Sequence, residues 1–395
     1  MTKDEKIRSI LQRGVEEIIH KKHLETQLRG RKKLRVKLGF DPTSPFLHIG
    51  NAVTLLKLRA FQDLGHTAVI IVGDFTGLIG DTSDKESERP MLTEAQVKEN
   101  IKTYFEQAFK ILDPSKTEAV YNSTWLKKLD FQEIGRMADL FSVNEFTSRE
   151  LMKKRLSAGK RVGLRELLYP LMQGYDSVAV KADVEIGGTD QRFNMLAGRT
   201  LQECYGQQPQ DIIMLSLLEG NDGRKMSKSY GNVINILDDA NTMFGKVMTV
   251  NDNLIDRYFT MATNTLWQHI EEIKKSYDNP RDQKLILAHA IVEQYHGAHA
   301  ARQAQENFIS QFSKKELPSE MEAVKVKPGQ YLIADLLIKL KMVTSKSEAR
   351  RLVEQGGVKI NQKALAASSL NEKIKIGTKN NLIIQVGKRK FVKIK

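Results

Sequence analysis

Residues 34 to 72 constrain the fold of this chain more than any other stretch. Leu34 to Phe40 is a short apolar run that reads as a strand. Asn51 to Leu64 places Val53, Leu55, Leu56, Leu58 and Phe61 at roughly helical spacing, and Gly65 is a natural helix terminator. His66 to Val72 is β-branched and apolar, as a strand buried on both faces of a parallel sheet should be. Strand, helix and strand compose a βαβ unit, the building block of a doubly wound sheet. The expected fold class is α/β, with a Rossmann-like parallel-sheet domain first.

The link between that first strand and its helix is Gly39-Phe40-Asp41-Pro42-Thr43-Ser44-Pro45-Phe46-Leu47-His48-Ile49-Gly50-Asn51. Pro42 and Pro45 end the strand, and His48-Ile49-Gly50 falls at the helix start. Unpaired backbone N–H groups and the helix dipole favour anions there. Gly50 permits close approach to the backbone, and His48, Asn51 and the Thr43 hydroxyl can donate to phosphate oxygens. A second peptide, Lys225-Met226-Ser227-Lys228-Ser229, follows the apolar segment Ile212 to Leu218 and lies between glycines at 220, 223 and 231. Its two lysines are three residues apart, so both can reach one pyrophosphate. Taken singly, the first peptide also fits a helix-capping loop and the second a solvated basic loop. No P-loop, nucleophile elbow or cysteine–histidine pair is evident, so positioning and charge stabilisation are the expected catalytic devices.

Together and in this order, the two peptides resemble the HIGH and KMSKS signatures of class I aminoacyl-tRNA synthetases. The chain resembles the bacterial tyrosyl-tRNA synthetases along nearly its whole length. That resemblance implies a tyrosine–tRNA ligase: L-tyrosine and ATP give tyrosyl-adenylate and pyrophosphate, and tyrosine then passes to the 3′ end of tRNA(Tyr). It implies catalytic roles for Thr43, His48, Asn51, Lys225 and Lys228. It implies ATP contacts from Asp41, Pro42, His48, Gly50 and Asn51, from Gly188 and Asp190, and from Lys225, Met226, Ser227, Lys228 and Ser229. Magnesium is expected to arrive on the ATP phosphates, with no dedicated metal site and no prosthetic group.

Tyr169-Pro170-Leu171-Met172-Gln173-Gly174-Tyr175-Asp176 puts Tyr169, Gln173 and Asp176 on one helix face. By resemblance this is the tyrosine pocket helix. Tyr169 and Gln173 would hold the substrate ammonium with Asp81, Asp176 would accept the phenolic hydroxyl, and Gln191 would lie near the carboxylate. Phenylalanine would leave a buried carboxylate unpaired, so no editing domain is expected. Many relatives carry Tyr two residues before Gly-Phe-Asp, where this chain has Lys37. Lys37 can pair with a nearby acid, reach ATP or point away, and the hydroxyl is expected to be read by Asp176 with little help from it. A tryptophanyl enzyme shares both signatures but normally lacks the C-terminal module described next. An RNA-binding protein on an inactive synthetase scaffold is the reading from another class.

The charge is unevenly placed. The 395 residues carry 62 Lys/Arg and 48 Asp/Glu, a net +14, and residues 330 to 395 alone hold 15 basic and 4 acidic side chains. A surplus confined to one end argues for a polyanion-binding module. There, Tyr331 to Leu337 reads as an apolar helical stripe, and Ser345-Lys346-Ser347-Glu348 as a capping box opening a helix with Arg350 and Arg351. Lys388-Arg389-Lys390 closes a hairpin. This resembles an S4 domain, with those five basic residues as RNA contacts.

The expected division is a catalytic domain over 1–238 with a helical dimerisation insertion around 130–165, an α-helical anticodon-side domain over 239–313, a linker over 314–329 and the S4-like domain over 330–395. Thr93 to Gln96 reads as a capping box opening a helix to about Leu112. A single cysteine, Cys204, excludes internal disulfides and fits the cytoplasm. No apolar stretch is long enough to cross a membrane, and a homodimer is implied by resemblance.

Overall fold

The computed structural model describes residues 1–81, 91–226, 230–313, 321–324, 326–361, 363–366, 369–370, 373–377, 382–387 and 390–394. The chain divides into two compact units, Met1–Phe308 and Ile309–Lys395.

The first unit is built on a six-stranded sheet: β1 (Val15–Ile19), β2 (Arg35–Phe40), β3 (Thr67–Val72), β4 (Thr117–Tyr121), β5 (Val184–Gly188) and β6 (Asp211–Leu215), in the order β1-β6-β5-β2-β3-β4. Five strands run parallel, and only β1 joins antiparallel, through β6. The parallel sheet is the one the βαβ run predicts; the antiparallel edge is an addition. Strand order reverses between β2 and β5, and such a switch point opens a crevice beyond the strands' carboxyl ends.

The helix Ile49–Gln62 links β2 to β3 and buries Ile49, Val53, Leu55, Leu56, Leu58 and Phe61. Burial of each such side chain stabilises by about 2 kcal/mol, so packing and not propensity decides this helix. Its Lys57 is also buried, and the ammonium donates to the carbonyls of Ser9, Ile10 and Arg13 at the end of the helix Lys3–Gln12. Arg13 donates in turn to four carbonyls between Phe259 and Thr265. Phe244, Tyr258, Leu287 and Ile291 share one core with Leu55 and Phe61. The helical segment expected as a separate domain from 239 therefore packs, as far as Phe308, into the sheet unit.

The helix expected from 94 to 112 is two: Glu94–Ile101, with its capping box at Thr93 and Gln96, and Tyr104–Phe109. The break falls at Lys102 and Thr103, where Thr103 leaves helical geometry and its hydroxyl donates to the carbonyl of Pro45. The insertion around 130–165 forms three short helices, Phe131–Ala138, Val143–Thr147 and Glu150–Ser157. Among the described residues, no helix is long and apolar enough to cross a membrane.

The second unit has a five-stranded sheet ordered β10-β9-β12-β13-β7 and a strand pair β11-β8. Its strands are β7 (Glu322–Val324), β8 (Gly329–Leu332), β9 (Val358–Ile360), β10 (Lys363–Ala364), β11 (Lys373–Ile376), β12 (Leu382–Val386) and β13 (Lys390–Ile394). Two helices, Ile333–Lys339 and Lys346–Glu354, cover a core of Ile333, Leu336, Leu337, Val353 and Ile384. Tyr331 and Leu332 belong to β8, not to the helix, and the segment expected as linker contributes β7. Ser345 caps its helix as expected, but Glu348 accepts from Thr344, one residue further back than a capping box requires.

Candidate active site

A cavity of about 1000 Å³ lies at the switch point, bounded by the carboxyl ends of β2, β3 and β5. Asp41, Thr43, His48, Gly50, Asn51, Asp81, Tyr169, Gln173, Asp176, Gly188, Asp190, Gln191, Lys225 and Met226 all line it. Residues up to 185 positions apart in sequence thus meet at one place. Pro42 is the described candidate that does not line it: its ring backs onto Gly77, and its carbonyl accepts from Asn100 at 2.7 Å. Ser227, Lys228 and Ser229 lie outside the described residues.

His48 is the N-cap of the helix Ile49–Gln62, and Asn51 is its third residue. The His48 amide donates to Asn51 Oδ1, and the Asn51 amide donates to His48 Nδ1. A ring nitrogen that accepts carries no proton, so this cap assigns the proton to Nε2 in the neutral ring. A Cβ on Gly50 would stand 2.9 Å from His48 Nδ1 and 3.4 Å from Met226 Sδ. Glycine there lets the two signature peptides touch. Met226 is buried in the core, so it joins the peptides more than it faces the cavity. The loop leading to Lys225 is closed at its foot. Glu219 and Lys225 form an antiparallel bridge, and Asn232 donates to the Lys225 carbonyl and to Asp222. That bond from Asn232, with the Arg224 amide and guanidinium, holds the Asp222 carboxyl at about 2.

The pocket helix runs Leu164–Val180 and includes Pro170. Tyr169 donates its hydroxyl to Asp41 Oδ2 at 2.9 Å, and Thr76 donates to Asp41 Oδ1 at 2.7 Å. Burial, followed by the Asp41 charge, drives the Tyr169 phenol well above its ordinary value, so it stays a neutral donor to Asp41 with its oxygen lone pairs left as acceptors. Gly73 makes room for this arrangement, since a Cβ there would fall 2.1 Å from Asp41 Oδ1. Asp176 is buried and accepts from Trp125 Nε1 at 2.8 Å and from Asn122 Nδ2 at 3.4 Å. Burial pushes its carboxyl up to about 7, against the pull of Lys37 and those two hydrogen bonds.

A chain of amides crosses the floor. Gln173 Nε2 donates to Glu185 Oε1, Asn194 Nδ2 donates to both Gln173 Oε1 and Gln191 Oε1, and Gln191 Nε2 donates to Asp81 Oδ2. A carboxylate only accepts, so Glu185 and Asp81 fix the direction of every bond between them. Lys37, on β2 opposite Glu185, places Nζ 2.9 Å from Glu185 Oε1 and donates to the Gln173 carbonyl and to Ser177 Oγ. Of its three open alternatives, Lys37 takes the first, pairing with an acid.

Asn194, Glu185, Trp125 and Asn122 are absent from the sequence-derived set. Asn194 lies one helical turn after Gln191 and on its face, a spacing that could have marked it. Glu185 reads in sequence as one acid in an apolar strand, which only a paired base explains. In the second unit, Arg350 and Arg351 are exposed on the helix Lys346–Glu354. Lys390 is exposed as well, and its Nζ donates to the Met342 carbonyl at 3.0 Å. Lys388 and Arg389 lie outside the described residues.

Comparison with known proteins identifies the family. Residues 29–313 match the family model of class I tRNA synthetases (W and Y), and residues 313–394 that of the tyrosine–tRNA ligase SYY-like C-terminal domain. The tyrosine–tRNA ligase of Thermotoga maritima is 46% identical over 399 residues, covering 100% of this chain and 98% of that protein. That of Carboxydothermus hydrogenoformans is 47% identical, covering 98% and 96%. Among solved structures, a C-terminally truncated mitochondrial tyrosyl-tRNA synthetase of Aspergillus nidulans superposes with a TM-score of 0.66 at 20% identity, over 78% of this chain and 94% of that one. The enzyme of Archaeoglobus fulgidus complexed with L-tyrosine gives 0.61 at 21% identity, over 77% and 100%. Fold and cavity define a class I aminoacyl-tRNA synthetase. Within that class, the chain belongs to the tyrosine–tRNA ligase family.

Proposed function

We infer that this chain activates L-tyrosine with ATP to tyrosyl-adenylate and pyrophosphate, and then transfers tyrosine to the 3′ end of tRNA(Tyr) for translation in the cytoplasm. Asp176 carries the choice of amino acid. A buried carboxylate, flanked by two donors and set at the end of the cavity's pocket helix, suits a phenolic hydroxyl and leaves phenylalanine an unmatched charge.

The ammonium of tyrosine has three N–H donors, and three acceptors are assigned to it: the Tyr169 oxygen, Gln173 Oε1 and the Asp81 carboxylate. Each has its own donor group engaged elsewhere or has none. Gln191, oriented by Asp81 and Asn194, is assigned to the substrate carboxylate. That carboxylate attacks the α-phosphorus and expels pyrophosphate. His48 Nε2–H, the Asn51 amide and the Thr43 hydroxyl are assigned to the phosphates, where charge develops, with Lys225 and Lys228 on the leaving pyrophosphate. Magnesium belongs to the ATP substrate in this scheme.

The insertion is assigned to a homodimer contact, because Phe131, Val143, Leu156 and Leu164 expose large apolar side chains there. Arg350 and Arg351 are assigned to RNA phosphates. Pyrophosphate exchange with tyrosine, tryptophan and phenylalanine, each supplied alone, tests the reading. Exchange with tyrosine alone is expected; exchange with tryptophan would overturn the pocket assignment.

A further inference from the structure

We propose that Lys37 and Glu185 form a buried positioning pair for tyrosine, fixing the Gln173 amide so that its oxygen faces the substrate ammonium. The proposal rests on the tyrosine assignment above and deepens it. Both side chains are nearly inaccessible to water, at 1% and 3% exposure, so neither is placed to solvate itself. Lys37 has three N–H groups and three acceptors: Glu185 Oε1, the Gln173 carbonyl and Ser177 Oγ. Its donors are all used, so it positions and does not bind substrate directly.

Glu185 is the end of the amide chain that lies beneath Gln173. It accepts from Gln173 Nε2 on one oxygen, and from Ser177 and Gln210 on the other. An ionised carboxylate in so dry a place needs a paired cation. Lys37 supplies it, and the same ammonium grips the pocket helix through the Gln173 carbonyl. The Gln173 amide then has one allowed orientation, with Nε2 down to Glu185 and Oε1 toward Asn194 and the cavity. A flipped amide would present a donor to an ammonium. Lys37 is therefore not a passive replacement for tyrosine, and truncating it would leave Glu185 buried without its cation.

The test is pyrophosphate exchange by the full chain with L-tyrosine, alongside competition by 3-(4-hydroxyphenyl)propanoate, which keeps the phenol and carboxylate but lacks the amine. The variants are the double substitution Lys37→Met with Glu185→Met, which replaces the pair by apolar groups of similar volume and is expected to fold, and the single Glu185→Gln. For the double variant, the tyrosine KM is expected to rise roughly tenfold or more with a smaller change in kcat, while the inhibition constant of the amine-free analogue moves less than about twofold. Glu185→Gln keeps an oxygen for Lys37 and Gln173, so its KM should lie between wild type and the double variant. Melting temperatures confirm folding; if the double variant is unfolded, Glu185→Gln against wild type makes the same comparison. Parallel losses for tyrosine and the analogue, or an unchanged KM in a folded double variant, would overturn the positioning role. Failure of the wild-type protein to exchange with tyrosine would instead remove the tyrosine reading and this inference with it.

Discussion

His48 and Asn51 hold each other across the first turn of one helix, each backbone amide donating to the other's side chain at 3.1 and 3.3 Å. Asn51 Oδ1 is spent on this cap, which leaves its amide N–H₂ as the group to meet phosphate. The two halves of the side chain therefore have separable jobs. Asn51→Asp keeps the acceptor, loses the donor and sets a negative charge against ATP. It is expected to melt near wild type while kcat for pyrophosphate exchange falls roughly tenfold or more. Asn51→Ala loses both, and should also give up about 1 kcal/mol of helix capping. Equal melting temperatures for the two variants, measured by calorimetry, would remove the capping role.

Asp176 should make tyrosine recognition pH-dependent. Its carboxyl sits at about 7, raised chiefly by burial. Protonated, it meets the phenol poorly; ionised, it accepts. The tyrosine KM is expected to fall as pH rises from about 6 to about 8, and Asp176→Asn should flatten that dependence. Stability runs the other way. A carboxyl raised in the folded state contributes stability that is fully present below its unfolded value of 3.8 and is lost as pH rises through about 7. The melting temperature of the free wild type should therefore decline relative to Asp176→Asn between about pH 4 and about pH 7 and level off above, and saturating tyrosine should reduce the decline. A KM that is level from about pH 6 to about pH 8 would sink the assignment.

Much of this was legible in the sequence for local reasons. The βαβ run was readable because burial on both faces leaves β3 with no polar residue after Thr67. Tyr169, Gln173 and Asp176 were readable because helical spacing is a property of the chain itself. Lys37 was not. Its partner is 148 residues away on β5, and only the register Lys37 opposite Glu185 brings the two together. Its burial and pairing are what set the proposed positioning role against the expectation that Lys37 contributes little. Asn194 escaped for a related reason, since its role is to orient two other side chains. The break at Thr103 coincides with a contact to the loop at Pro45, which a capping signal at Thr93 cannot foresee.

The exposed apolar side chains of the insertion predict oligomer-dependent behaviour. Phe131 is 93% exposed, and Val143 is 66% exposed on the following helix. A lone exposed Phe is unremarkable, but several on adjacent short helices mark a contact surface. Phe131→Glu with Val143→Lys is expected to shift the protein from dimer to monomer in sedimentation velocity, and as surface changes the two should leave the monomer folded. A wild-type protein that sediments as a monomer at micromolar concentration would dismiss the interface.

The second unit makes a prediction about salt. Arg350 and Arg351 stand exposed on the helix Lys346–Glu354; Lys390, exposed too, donates to the Met342 carbonyl. Charges that meet phosphates release counterions, so their number sets the slope of affinity against salt. Replacing both arginines by Ala should weaken tRNA binding and lower the magnitude of that slope by about 1.5. Pyrophosphate exchange needs no tRNA and serves as the control for a folded catalytic unit. Lys390→Ala should behave differently, with a lower melting temperature and a smaller change in slope, because its ammonium closes the turn after the helix Ile333–Lys339. Filter binding from low to moderate salt separates the cases: a slope that responds as strongly to Lys390 as to the two arginines would mean the hairpin, and not the helix, carries the phosphate contacts.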